Sequence, residues 1–263
     1  MADSRIDLDK RQTLRDVYRP NRYALDTRFV LRDGGTHPFA VICPGGAYQV
    51  VCSYIEGTPI ARRLNELGIS AFIVYYRVRK KARWPHPQDD LARAVREILA
   101  RAAEYGVDPE DYSVWGCSAG GHLAASFGTE NMGYPRYGLP APGALVLSYP
   151  VISMRPELSH DVTHDNLLGK HATAAMERFA SVDENVTGAC PPTYIWCGGA
   201  DATVDPENSR RMAAALERAG VPCRSEIFPG VDHGVGPGTG TAAEGWIDHA
   251  AAFWRGQKHT GEG

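Results

Sequence analysis

No run of about 18 apolar residues occurs in the chain, so no segment reads as a membrane-spanning helix. Charge of one sign is missing too: 28 Lys and Arg stand against 31 Asp and Glu, for a net charge of -3. The basic residues are scattered rather than striped, which leaves no electrostatic footprint for DNA or RNA. The N-terminal stretch MADSRIDLDKRQTLRDVYRP lacks the apolar core of a secretory signal, and the expectation is a cytoplasmic protein. Cysteine is sparse. Cys43, Cys52, Cys117, Cys190, Cys197 and Cys223 include no C-x-x-C pair and no matching histidine framework, so they read as reduced thiols rather than a zinc site or disulfide scaffold. Internal repeats are absent, and low complexity is confined to HGVGPGTGT after Asp232.

What is present is a regular alternation. Apolar, β-branched runs at residues 38–43, 69–76, 112–116, 144–150, 193–199 and 223–230 read as strands, preceded by an extended segment at 23–31. Between them lie helical patterns at 59–68, 88–106, 206–220 and 241–254, and a further helix after the strand at 112–116. This rhythm predicts one α/β domain over residues 1–263, with a mostly parallel central sheet flanked by helices on both faces. Residues 151–190 interrupt it. Loops that long are usually functional, so the segment is expected to be a small cap or lid inserted in the domain.

The chemistry-bearing motif is Gly116-Cys117-Ser118-Ala119-Gly120, a G-x-S-x-G that falls where a strand hands over to a helix. Flanking glycines let a serine be held up on a strained turn, at a helix N-terminus that favours developing negative charge. A serine hydroxyl is a poor nucleophile without a base, and the base needs an orienting acid. TYIWCGGADATVDP places Asp201 just past one strand and SEIFPGVDHGVG places His233 just past the next, both at the same sheet edge as Ser118. Asp205 is the rival acid, but it precedes Pro206 and reads as a helix cap. The turn CPGGAYQ after the first apolar strand offers the Gly46 and Ala47 amides as oxyanion donors, with the Ala119 amide beside the nucleophile as a third.

Together PGGAY, GCSAGGHLA, GGADATVDPENS and DHGVG resemble the α/β-hydrolase superfamily, esterase/lipase type, and within it the branch of acetylxylan and other carbohydrate esterase-like proteins. The resemblance spans roughly residues 39–254. The hormone-sensitive-lipase group carries H-G-G-G at the oxyanion turn; here Pro44 takes the first position and Ala47 the last, which departs from that group without removing the amide donors.

The expected activity is serine ester hydrolysis through an acyl-enzyme, with Ser118 as nucleophile, His233 as base and Asp201 as orienting acid, and it needs no metal or organic cofactor. Leu158, Leu167 and Leu168 are interspersed with many charged residues in the inserted segment, so a short acyl group is expected, acetyl above all. The partner is a small-molecule ester, and an acetylated oligosaccharide fits best. Tyr48 and Trp84 are candidates to stack on a sugar ring, whereas Tyr76 reads as core. Other readings are an arylformamidase, a general small-molecule carboxylesterase, or a non-catalytic binding module that keeps the fold.

Overall fold

The computed structural model describes residues 22–257. The charged N-terminal stretch behind the expected location lies outside the described residues. Seven strands among the described residues form one sheet: β1 (Ala24–Phe29), β2 (His37–Cys43), β3 (Ser70–Tyr75), β4 (Val107–Cys117), β5 (Ala144–Ser148), β6 (Thr193–Gly198) and β7 (Cys223–Phe228). Their spatial order is β1-β3-β2-β4-β5-β6-β7. β1 runs antiparallel to β3, and every other neighbouring pair is parallel.

Burial follows from position in the sheet. Every residue of β3, β5 and β6 is buried, because helices cover both faces of an inner parallel strand. Edge strands β1 and β7 are only partly buried and carry Asp26, Arg28, Arg224 and Glu226, charges that discourage edge-to-edge pairing. The covering helices bury one stripe each; Thr58–Glu66 turns Ile60, Ala61 and Leu64 inward. Ser118–Phe127 is the exception, buried along its whole length, which its small, apolar sequence SAGGHLAASF allows. No helix among the described residues is long and apolar enough to cross a membrane.

Two element boundaries differ from the sequence pattern. The helix expected over 88–106 runs from His86 to Ala100, breaks at Arg101 (φ -117°, ψ 20°) and resumes for one turn over Ala102–Tyr105. The last helix starts at Trp246, not at 241, because Thr241 and Ala243 close turns and Gly245 sits at φ 92°.

Strand order locates the functional edge. From β2 the chain moves one way to β3, then returns across β2 to build β4 through β7 on the other side, so the direction of winding reverses between β2 and β4. In open α/β sheets such a switch point opens a crevice beyond the strands' carboxyl ends. The PGGAY turn leaves β2 there and Ser118 leaves β4 there. Residues 151–190, between β5 and β6, form short helical pieces at Asp161–Leu167, Ala174–Ala180 and Val182–Glu184. Val151, Ile152, Met154, Leu167 and Val182 are buried against the rest of the fold. Asn208 Oδ1 accepts both the Ile152 and Ser153 amides, at 2.9 and 3.0 Å.

Candidate active site

Ser118 is the first residue after β4 and sits in the left-handed region, at φ 54°. Holding a non-glycine residue there costs about 1–3 kcal/mol, which the surrounding packing has to offset. Neighbouring glycines make the turn possible. A Cβ on Gly116 would lie 2.1 Å from the Gly120 carbonyl oxygen, and one on Gly120 would lie 2.0 Å from that of Cys43. The serine is thus presented at the helix N-terminus while the β2 turn packs against the same helix.

Asp201 and His233 reach the serine from the next two strand ends. The loops that carry them are zipped together by Gly199 N–H to Phe228 O at 2.8 Å and Ala200 N–H to Val231 O at 3.0 Å. His233 Nδ1 lies 2.7 Å from Asp201 Oδ2, and His233 Nε2 lies 2.9 Å from Ser118 Oγ. The Thr203 and Val204 amides both donate to Asp201 Oδ1 at 2.9 Å, so that carboxylate meets three N–H groups in a buried site. This pattern assigns the proton to Nδ1 and turns the Nε2 lone pair toward the serine hydroxyl. Asp205 is elsewhere: its Oδ1 accepts the Glu207 amide at 2.8 Å, at the start of the helix Glu207–Arg218 and one residue before its Pro206 N-cap.

The β2 turn supplies the opposite wall. Gly46, Ala47 and Tyr48 all have positive φ, at 121°, 55° and 53°. Every carbonyl from Pro44 to Tyr48 is tied down. Pro44 O accepts the Tyr76 hydroxyl, Gly45 O the Cys52 amide, Gly46 O the Gln49 and Val50 amides, Ala47 O the Asn166 side chain and Tyr48 O the Arg79 amide. The Gly46 and Ala47 amides have no acceptor among the described residues, and both residues are partly open to solvent. Ala119 adds a first-turn amide that lacks an intrahelical acceptor.

A family model described as the alpha/beta hydrolase fold matches residues 44–236, nearly three quarters of the sequence. The chain belongs to the α/β-hydrolase fold family. The crystal structure of an acetyl ester-xyloside bifunctional hydrolase from Caldicellulosiruptor lactoaceticus is 30% identical, with a TM-score of 0.80 over 89% of this chain and 87% of that one. An acetylxylan esterase of Xylanibacter ruminicola is 31% identical over 205 residues, 74% of this chain and 40% of that protein. Endo-1,4-beta-xylanase B of Butyrivibrio fibrisolvens is 30% identical over 236 residues, 86% of this chain and 36% of that protein. The chain spans well under half the length of those two curated relatives.

Two sequence-level candidates take other roles in this α/β hydrolase. Tyr48 has no exposed surface; its ring packs on Tyr76 and His122, and its hydroxyl lies 3.0 Å from His122 Nδ1, so it has no face left for a sugar. It braces the β2 turn instead. Trp84 is half-buried, with Phe179 edge-on at 5.2 Å and the Arg136 guanidinium over its ring at 5.7 Å, so it anchors the 151–190 segment rather than standing open to a ligand.

Three residues that the sequence did not single out also reach the site. His122, one turn into the helix Ser118–Phe127, donates from Nε2 to Ala180 O at 2.9 Å and faces the Tyr48 hydroxyl with Nδ1; burial lowers its pKa to about 4. Glu56 and Tyr149 lie behind the β2 turn and His233, joined by a 3.0 Å hydrogen bond. Nothing in their local sequence, YIEGTP and LSYP, distinguishes them from a helix start and a strand end.

Proposed function

We propose that the protein is a serine ester hydrolase that removes short acyl groups, acetyl above all, from carbohydrate alcohols. The observation that carries this reading is the line of hydrogen bonds from Asp201 through His233 to Ser118, beside the amides of Gly46, Ala47 and Ala119. His233 Nε2 takes the hydroxyl proton as Ser118 Oγ attacks the ester carbonyl carbon. Asp201 holds the imidazole and stabilises the imidazolium that forms. The carbonyl oxygen, now an oxyanion, is received by the Ala119 amide and that of Gly46 or Ala47, each such donor supplying about 3–4 kcal/mol of transition-state stabilisation. The imidazolium then protonates the departing alcohol. Water, deprotonated by His233, attacks the acyl-serine, and the carboxylic acid leaves as Ser118 regains its proton.

Two features support the substrate class. Leu167 and Leu168 of the inserted segment are 1% and 8% exposed, so they are spent on packing and do not line an acyl tunnel. Without one, a long chain forfeits about 0.8 kcal/mol per methylene that burial would return. On the Asp201 side lies a cleft of about 380 Å³, lined among others by Glu157, Ser159, His160, Thr203 and Asp205. Its polar walls suit a polyol leaving group, and the 151–190 segment then acts as the cap on the alcohol side. The acetylxylan esterase and the acetyl ester-xyloside hydrolase among the relatives point the same way.

The test compares kcat/KM on p-nitrophenyl acetate and octanoate, then acetate release from acetylated xylo-oligosaccharides. Faster octanoate turnover rejects the short-acyl reading, and no acetate release rejects the sugar reading. N-formylkynurenine in the same panel separates an esterase from an arylformamidase. Failure to label with a fluorophosphonate returns the protein to the class of silent binding modules.

A further inference from the structure

The loop between β2 and the helix Thr58–Glu66 buries a carboxylate that the hydrolytic cycle does not consume. Glu56 lies on a π-turn, Ser53–Gly57, a helix variant that recurs at functional sites. It is 4% exposed, and a buried carboxyl group is normally found neutral or paired with a cation. Here its two partners are uncharged donors, and one of them is itself held by a third. The Gly236 amide donates to the Tyr149 hydroxyl oxygen at 3.1 Å, that hydroxyl donates to Glu56 Oε1 at 3.0 Å, and the Gly45 amide donates to Glu56 Oε2 at 2.6 Å. Both carboxyl oxygens therefore act as acceptors, the pattern of an ionised group. Burial is the largest influence and leaves the Glu56 carboxyl above the usual glutamate value, while the Gly45 amide, the Tyr149 hydroxyl and then the charge of His233 pull it only part of the way back.

The ends of this chain of donors are the two parts of the site that must keep register. Gly45 opens the oxyanion turn: its amide is held by Glu56 and its carbonyl by Cys52, and a Cβ there would lie 2.7 Å from Glu56 Oε2 and 2.8 Å from Ser118 Cβ. Gly236 closes the His233 loop; a Cβ there would lie 2.4 Å from Ile55 O, beside Glu56 itself. Tyr149 sits between them with its ring edge-on to His233 at 4.9 Å and to Trp196 at 5.0 Å. Its own φ of 38° is a further strained position that something has to stabilise.

We propose that Glu56 and Tyr149 form a buried positioning strut that holds the oxyanion turn and the His233 loop at a fixed separation across Ser118. The strut rests on the hydrolytic reading above, because its purpose is to keep the amides that receive the oxyanion aligned with the base that moves the proton. Misplacing such groups by an ångström can cost about a hundredfold in rate. Neither residue touches the substrate; both act through Gly45, Gly236 and His233.

Tyr149→Phe removes one hydroxyl and keeps the ring on His233. Glu56→Gln keeps the shape and replaces one acceptor by a donor, which cannot satisfy both the Tyr149 hydroxyl and the Gly45 amide as the carboxylate does. Each is expected to lower kcat on p-nitrophenyl acetate roughly ten- to hundredfold while KM stays within about threefold, since the loss falls on the transition state. The double variant should lose no more than the worse single, because the two side chains act as one unit. Labelling of Ser118 by a fluorophosphonate should slow in parallel, which reads the same alignment without depending on the choice of ester. A merely structural role would lower Tm and leave kcat of the folded enzyme near wild type, and that outcome in Tyr149→Phe overturns the strut. Multiplying losses in the double variant overturn it too. Should Glu56→Gln fail to fold, Tyr149→Phe decides alone. An inert Ser118→Ala with near-normal strut variants condemns the strut and keeps the hydrolase; an active Ser118→Ala condemns the hydrolase reading.

Discussion

The turn after β2 and the segment 151–190 both flank Ser118, and they are built on opposite plans. From Pro44 to Tyr48 every carbonyl has a partner, three successive residues have positive φ, and Gly45 and Tyr48 are buried. From Glu157 to His160 the chain is exposed or half-buried and presents acidic, hydroxyl and imidazole groups to a cleft. The first plan stabilises strained backbone by packing and hydrogen bonds, which on the proposed reading keeps amides aimed at a charge that exists only in the transition state. On the proposed reading, the second leaves side chains free to meet an alcohol whose shape varies. Rate should therefore depend on the β2 side and substrate choice on the 151–190 side.

The sharpest break of that division is at the serine itself. Ser118→Ala is expected to lower kcat by roughly 10⁴-fold or more with the fold intact, and His233→Ala by a similar amount, the pair together scarcely more than either. Steady-state kinetics with circular dichroism checks this. A Ser118→Ala variant of near-wild-type activity would remove the chemistry from this edge altogether.

Next in size is the choice of acid. Asp201 is held by three N–H groups including His233 Nδ1, whereas Asp205 only receives a helix amide. Asp201→Asn should cost about 10³- to 10⁴-fold in kcat, because the amide permits the wrong imidazole tautomer. Asp205→Asn should cost less than tenfold and act through stability of the helix Glu207–Arg218. The reverse ranking in folded protein would reassign the acid.

Much of this was legible in the residues. The strand–turn–helix around Ser118 announces itself because glycine at 116 and 120 is required where backbone meets backbone, and only local sequence is needed to see it. Asp201 and His233 are legible because each follows an apolar run that must end at the sheet's carboxyl edge. Glu56, Tyr149 and His122 were opaque for the opposite reason: their partners lie 93, 93 and 58 residues away along the chain, and neither spacing nor composition reports such pairings. Tyr48 was misread because an aromatic after a glycine turn looks exposed, and only tertiary packing shows its ring enclosed by Tyr76 and His122. The last helix was begun too early because alanines at 242 and 243 favour helix locally, while Gly245 stops it.

His122 ties the two regions together, with Tyr48 on one nitrogen and Ala180 on the other, and its effect is on stability. Its pKa is lowered to about 4 in the folded protein by burial, against an ordinary value of 6.5. The unfolded chain thus binds the extra proton more readily between those values, and stability falls as pH drops through that window. Its effect is constant above pH about 6.5, and the stability lost reaches about 3 kcal/mol at the acid end. Denaturant unfolding of wild type and His122→Gln at pH 7, 5.5 and 4.5 isolates the term, since the other titrating groups are common to both. The wild type should lose stability faster than the variant over this range; parallel curves would show that His122 does not link the two regions in neutral form.

The smallest expected effect concerns the alcohol side. His160 Nδ1 lies 2.8 Å from Thr163 Oγ1, its Nε2 has no partner among the described residues, and the ring lines the cleft beside Asp201. Burial first, then the charge of His233, holds its pKa below the usual imidazole value, which favours the neutral ring. A neutral imidazole with one free nitrogen can bond a sugar hydroxyl without competing for the proton that the base takes up, a contact of about 1 kcal/mol. His160→Ala should therefore raise KM for acetylated xylo-oligosaccharides about three- to tenfold and move kcat less, whereas p-nitrophenyl acetate, with no hydroxyl on its leaving group, should respond more weakly. Equal losses on both substrates, carried by kcat, would mean that His160 belongs with the rate-setting side and that the division between the two regions is drawn in the wrong place.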